Sequence, residues 1–171
     1  MAYGHGIAVS LVQLARAYTI FARDGDLVPL SLVKVDSPPA AKAVLSPRTA
    51  ALVRHMLEAA VQSGGTGPRA RVVGYRVAGK TGTAHKQENG GYAADKYHSS
   101  FVGFAPVSRP RLVIAVMIDE PSAGRYYGGD VAAPAFAQVM AGSLRLLGVA
   151  PDAPLKPLEL PPPGQEMRDS V

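Results

Sequence analysis

Gly74-Tyr75-Arg76-Val77-Ala78-Gly79-Lys80-Thr81-Gly82-Thr83-Ala84 contains one lysine on which two incompatible folds turn. Its first eight residues fit G-x-x-x-x-G-K-[ST], the loop that cradles phosphate. The apolar run ending at Asp119-Glu120 would then supply an acidic pair for Mg²⁺. A phosphate loop, however, needs a strand before its first glycine and a helix after the threonine, because the helix N-terminus holds the anion. Here Tyr75 to Val77 are themselves strand formers, and Gly82, Asn89, Gly90 and Gly91 follow with no helical apolar stripe. Parallel βαβ units are also missing. A nucleotide-binding fold therefore remains only a distant alternative.

Placed on a strand, Lys80-Thr81-Gly82-Thr83 fits a different chemistry. Acyl transfer by an activated serine needs a cation beside the nucleophile, a hydroxyl to hold a substrate carboxylate, and backbone N–H donors for the oxyanion. Gly82 gives the strand freedom to twist and lets a substrate backbone approach closely. K-T-G is one of the motifs of serine acyl-transfer enzymes, although alone it is weakly specific.

Outward from this stretch, the flanking sequence alternates helix and strand signals. Upstream, Ser10 and Gln13 form a capping box, and Leu11, Leu14, Tyr18 and Phe21 recur at helical spacing to about Asp24, with Gly25 as the stop. Leu30 to Val35 reads as a strand ending at Pro38-Pro39. Ser46-Pro47 starts a second helix with Leu52, Met56, Leu57, Ala60 and Val61 as its buried stripe, closed by Gly64-Gly65. Val72 to Val77 is β-like, Gln87 to Gly91 a polar turn, and Ser100 to Val107 a strand. Leu112 to Ile118 is apolar on both faces, as expected of a central strand, and the short Ser108-Arg109-Pro110 link suits a hairpin before it. Asp130 is the expected cap of a last helix whose face is Phe136, Val139, Met140, Ser143, Leu144 and Leu147. The expected fold is α+β, an antiparallel sheet with helices packed on it. Residues 1–150 form its body, and 151–171, with six prolines from Pro151 to Pro163, form an extended or disordered tail.

Composition narrows the classes further. The chain has 171 residues, 47% apolar and 18% charged, enough for one domain with a sizeable core. There is no cysteine, hence no disulfide framework and no thiolate nucleophile. The net charge of +5 is scattered and does not interleave with aromatics, which argues against nucleic acid and suits an anionic ligand. The seven-residue run from Leu112 to Ile118 is far too short to span a membrane. His5, His55 and His98 are single and unclustered, so neither a metal site nor a cofactor is indicated. Asp119 and Glu120 end a strand as solvated or ion-paired groups, and His85 and Lys86 read as solvated residues at a cleft rim.

Several segments then occur in a telling order. They are Tyr3-Gly4-His5-Gly6-Ile7, Leu11 to Tyr18, Val28-Pro29-Leu30-Ser31-Leu32, Gly74 to Ala84, Gly103-Phe104-Ala105-Pro106, Tyr126-Tyr127-Gly128-Gly129 and Ala133-Pro134-Ala135-Phe136. Over residues 3 to 150 this ordered set resembles the C-terminal part of the transpeptidase domain of class B penicillin-binding proteins. Within the class it is most similar to the division-specific enzyme that builds septal peptidoglycan. The resemblance implies a penicillin-binding, serine β-lactamase-like fold and a D,D-transpeptidase cross-linking stem peptides through an acyl-serine intermediate. It implies that Lys80 holds positive charge near the nucleophile, and that Thr81 and Thr83 bind the substrate carboxylate. The Thr83 backbone N–H would be an oxyanion donor, and Gly82 would give clearance. Tyr126 and Tyr127 would form an aromatic wall over the substrate side chain or, equally, a packed loop anchor. The implied partners are the stem peptide, β-lactams, a septal glycan polymerase and other division proteins, at the periplasmic face of the bacterial inner membrane.

Two motifs of that family do not appear. The one S-x-x-K, Ser31-Leu32-Val33-Lys34, falls on the expected strand, where residues three apart point to opposite faces. S-x-N cannot occur, since the one asparagine is Asn89 and residue 87 is Gln. The nucleophilic serine is therefore expected outside this chain, as in a C-terminal fragment or late-started product, and the chain alone is expected to be inactive. The alternative of a different class is a non-catalytic module that binds peptidoglycan or a division protein.

Overall fold

The computed structural model describes residues 7–37, 39–88 and 91–154. The Tyr3 to Gly6 segment and residues 155–171 of the expected tail lie outside the described residues. The elements are α1 (Leu11–Ala22), β1 (Asp26–Leu27), β2 (Lys42–Ala43), α2 (Pro47–Ala59), a 3₁₀ turn at Pro68–Ala70, β3 (Ala78–Glu88), β4 (Gly91–Ala105), β5 (Leu112–Asp119) and α3 (Gly128–Leu146). The three long strands form an antiparallel sheet in the order β3-β4-β5, and β1 pairs with β2. The architecture is α+β, as expected.

β4 organises the molecule. Phe101 and Phe104, three residues apart, leave it on opposite faces. Phe101 is fully buried against Phe136 of α3, with ring centroids 4.7 Å apart, among Val61, Met140 and Leu144. Phe104 packs with Ala78 and Val107 against Tyr18 and Phe21 of α1 and Leu57 of α2. β5 serves both layers, Ile114, Val116 and Ile118 on the α3 side and Val113 on the α1 side. Its two-faced apolarity thus holds, but among the described residues it is an outer strand and β4 is the central one.

Local signals set the first two helices. Ser10 Oγ accepts from the Gln13 N–H at 3.2 Å while Gln13 Oε1 accepts from the Ser10 N–H at 2.8 Å. Ser46 Oγ accepts from the Thr49 N–H at 3.1 Å, and Pro47 opens α2. Gly25, at φ +94°, turns the chain after α1.

Tertiary context overrides the expected elements in five places. Leu30 to Val35 forms no strand. Leu32 and Val33 are exposed, and Ser31 Oγ bonds the main chain of Val33, an alternative to a strand ladder. Val72 to Val77 is a turn, not a strand; Gly74 sits at φ +81°, the Tyr75 N–H donates to Val72 O at 3.1 Å, and β3 begins at Ala78. The α2 stripe is rotated: Ala50 is buried and Leu57 packs on the Phe104 cluster, while Leu52 and Met56 are exposed. β4 begins at Gly91, well before Ser100, because β3 continues to Glu88 and pairs with it. The cap of α3 is Tyr127 instead of Asp130, which is the third helical residue. The first residues after Val149 are tied to the body. Asp152 accepts from the N–H of Arg76 at 2.7 Å and from that of Ser108 at 3.0 Å.

Candidate active site

Lys80 sits on β3, an outer strand, so its side chain can reach past the sheet edge. Its Nζ donates to Thr81 Oγ1 at 3.1 Å, to Thr66 Oγ1 at 3.3 Å and to Thr81 O at 3.3 Å. Thr81 Oγ1 in turn donates to Thr66 Oγ1 at 3.1 Å. The residue is exposed, and among the described residues its charge is held by two hydroxyls and a carbonyl but not neutralised by a carboxylate.

Thr81 and Thr83, two apart on the strand, share a face. Thr83 Oγ1 accepts from the Gly128 N–H at 3.0 Å, which joins β3 to the first turn of α3. Between these elements lies a cavity of about 410 Å³, walled by Thr66 and Arg69, by Thr81 and Thr83, and by Tyr127 to Asp130. The cavity can take a small anion-bearing ligand. Three threonine hydroxyls and the Arg69 guanidinium stand on its walls, the Lys80 ammonium is bonded to two of those hydroxyls, and Asp130 is its one acidic group. Gly82 faces the other way; a Cβ there would lie 2.5 Å from Ser100 Oγ.

Tyr126 and Tyr127 are integrated in a ladder of rings. Tyr126 stacks on Tyr97 at 4.2 Å and 12°, Tyr97 meets His85 at 4.4 Å, and Tyr127 leans on Tyr126 at 4.5 Å. The Tyr126 carbonyl also accepts from Ser99 Oγ, and its phenol, bonded to that of Tyr127, is held above the usual tyrosine range. Tyr127 alone of the pair lines the cavity.

The phosphate-loop alternative fails on topology. Thr81 is followed by strand to Glu88, not by a helix, and Asp119 and Glu120 are taken by Lys86 at 2.9 and 2.6 Å. Lys86 is accordingly paired, where a solvated charge was expected, and His98 also stands 3.0 Å from Asp119. Ser31 of the S-x-x-K sequence lies in an exposed loop with its hydroxyl turned onto its own main chain.

Thr66, Arg69 and Asp130 are site residues that sequence reasoning missed. A signal for the first was present in Gly64-Gly65-Thr66-Gly67, read only as a helix stop. A Cβ on Gly67 would meet the Phe101 ring at 2.9 Å, and one on Gly129 would meet Thr66 O at 2.3 Å. These glycines mark close backbone approach around the site, not merely a helix end.

Known proteins are similar to this chain in fold and sequence. The transpeptidase domain of a penicillin-binding protein 3 from Burkholderia pseudomallei superposes with a TM-score of 0.84 and 51% identity, over 90% of this chain and 47% of that one. A probable peptidoglycan D,D-transpeptidase PenA of Neisseria flavescens is 48% identical over 91% of this chain and 39% of its own length. The peptidoglycan D,D-transpeptidase FtsI of Escherichia coli K12 is 42% identical over 88% of this chain and 26% of its own length. The chain thus spans about a quarter to two-fifths of these curated relatives. Residues 1–141 match the family described as the penicillin binding protein transpeptidase domain, and the chain belongs to that family.

Proposed function

We propose that this chain is part of a peptidoglycan D,D-transpeptidase that cross-links stem peptides at the division septum. The observation that supports this best is the Lys80 ammonium, bonded to Thr66 and Thr81 at the open edge of β3, beside the Thr81–Thr83 cavity. In the reaction, a serine hydroxyl attacks the penultimate D-alanine carbonyl and the terminal D-alanine leaves. The acyl-serine is then taken by the amine of a neighbouring stem peptide. Lys80 and Thr81 hold the terminal carboxylate, the Thr83 N–H stabilises the oxyanion, and Tyr127, backed by Tyr126, flanks the substrate, while the clearance that Gly82 gives is toward Ser100. A β-lactam, a carboxylate-bearing acyl donor, uses the same wall.

The attacking serine belongs outside this chain in this reading. Ser31 is spent on the Val33 main chain, and the chain has no S-x-N. The division role, a periplasmic position at the inner membrane and partnership with a septal glycan polymerase extend this reading from the resemblance to division-specific penicillin-binding proteins. No helix among the described residues is long and apolar enough to cross a membrane.

A fluorescent penicillin tests this directly. The purified chain is expected to take no covalent label. Fused behind the upstream half of the Burkholderia pseudomallei transpeptidase domain, it is expected to restore labelling, which Lys80→Ala lowers on the order of 100-fold. Stoichiometric label on the chain alone, or fusion labelling indifferent to Lys80→Ala, would overturn the proposal.

A further inference from the structure

We infer that Arg69 forms a second anion-binding subsite, one that reads an additional carboxylate on an acidic peptide ligand whose terminal carboxylate is held at Lys80 and Thr81. The inference rests on the proposed carboxylate role of Lys80 and Thr81 and extends it across the cavity.

Arg69 is fixed at its backbone and loose at its tip. It lies in the 3₁₀ turn Pro68–Ala70, between Pro68 at the first position and the fully buried Ala70, so its Cα cannot wander. Its side chain lines the same cavity as Thr81 and Thr83, yet remains 47% exposed. Of its five N–H donors, only those on Nη1 are engaged among the described residues. Nη1 donates to the main-chain oxygen of Asp130 at 3.1 Å and stands 3.5 Å from the Asp130 carboxylate. The rest of the guanidinium fork is available for a planar, bidentate contact with a carboxylate.

The present partner is easily exchanged. Asp130 is itself 42% exposed, and ion pairs of this kind contribute little. Asp130 also does not depend on Arg69 for its charge. It sits in the first turn of a 19-residue helix, where the backbone dipole favours an anion. A ligand carboxylate can therefore draw Arg69 away without stranding a buried charge. Thr66 and Thr81, which line the same cavity as Arg69, bond the Lys80 ammonium, so two cations serve one hollow. Two separate cations suit a ligand with two negative groups better than a ligand with one.

The test is an NMR titration of the ¹⁵N-labelled 171-residue chain with two probes. One is N-acetyl-D-alanyl-D-alanine; the other is a peptide ending in the same dipeptide and carrying one side-chain carboxylate further in. The second probe is expected to bind more tightly by about tenfold, as a charge-assisted hydrogen bond gives. That ratio should fall to near one in Arg69→Gln, be partly kept in Arg69→Lys, and rise in Asp130→Asn, which frees the guanidinium. Amide spectra of each variant establish that it is folded. Equal affinity of the two probes, or an unchanged ratio in folded Arg69→Gln, would overturn the Arg69 subsite while leaving the Lys80 role intact. Shifts from neither probe at Thr81 or Thr83 would overturn both.

Discussion

Lys86 shows how much a single charge on β3 depends on strand register. The β3–β4 ladder shifts register between His85 and Gln87, and Lys86, at the shift, meets Asp119 at 2.9 Å and Glu120 at 2.6 Å. Hydrogen bonds from Lys86 hold the Glu120 and Asp119 carboxyls below their usual range, with His98 adding to the effect on Asp119, and the same bonds raise the Lys86 ammonium. The signs are opposite for the two kinds of group. Lowered carboxyls stabilise the fold above their unfolded pKa values of about 4, and that support is lost as pH falls through the folded values. The raised lysine stabilises it fully below about pH 10.4, and its support is lost as pH rises through its folded value. Lys86→Met is therefore expected to lower the melting temperature near neutral pH, with the gap to the wild type closing below about pH 4. Melting curves from about pH 3 to 8 check this; a gap constant over that range would rule the pairing out as its cause.

At the scale of elements, α3 is placed by contact and not by its own cap. No side chain caps it, and its start at Gly128 coincides with the bond from Gly128 to Thr83. A Cβ on Gly128 would lie 2.3 Å from Ser100 O and 2.5 Å from Gly82 O, both main-chain atoms that cannot step aside. Gly142, in the same helix, has nothing within 4 Å of such a Cβ. Gly128→Ala should therefore cost at least about 2 kcal/mol by overpacking, whereas Gly142→Ala should gain about 0.5–1 kcal/mol from helix propensity. Urea unfolding of both variants separates the two effects, and a destabilised Gly142→Ala would contradict the open space around it. The same contrast explains what could be read in advance. The caps at Ser10 and Ser46 are local, and so were legible, as was the strand position of Lys80 to Thr83. The start of α3 depends on a residue 45 positions upstream, and Asp130 was the nearest local substitute for that information. Leu30 to Val35 has strand composition but pairs with no strand among the described residues.

Across the whole molecule, packing quality changes along the chain. Phe101, Phe104, Phe136, Met140 and Leu144 are fully buried, all of them on β4 or α3. By contrast α1 has no fully buried residue, and Val12, Leu32, Val33 and Met56 are each more than 60% exposed. Part of the candidate site was legible for a related reason. Lys80, Thr81 and Thr83 share one strand and one motif, whereas Thr66, Arg69 and Asp130 join them only through the packing of β3 against α3 and the 3₁₀ turn. Single exposed apolar residues are ordinary, but this many within the first 56 residues favour self-association through that part of the surface. The chain is expected to enhance the fluorescence of ANS at neutral pH and to elute in sizing columns at a volume that moves with concentration. Leu32→Ser combined with Met56→Gln should weaken both signals. Since neither side chain is buried, the pair should leave the unfolding free energy within the roughly 0.5 kcal/mol range of surface changes. A wild-type chain that stays monomeric at every concentration and leaves ANS dark would show that these residues are covered in solution.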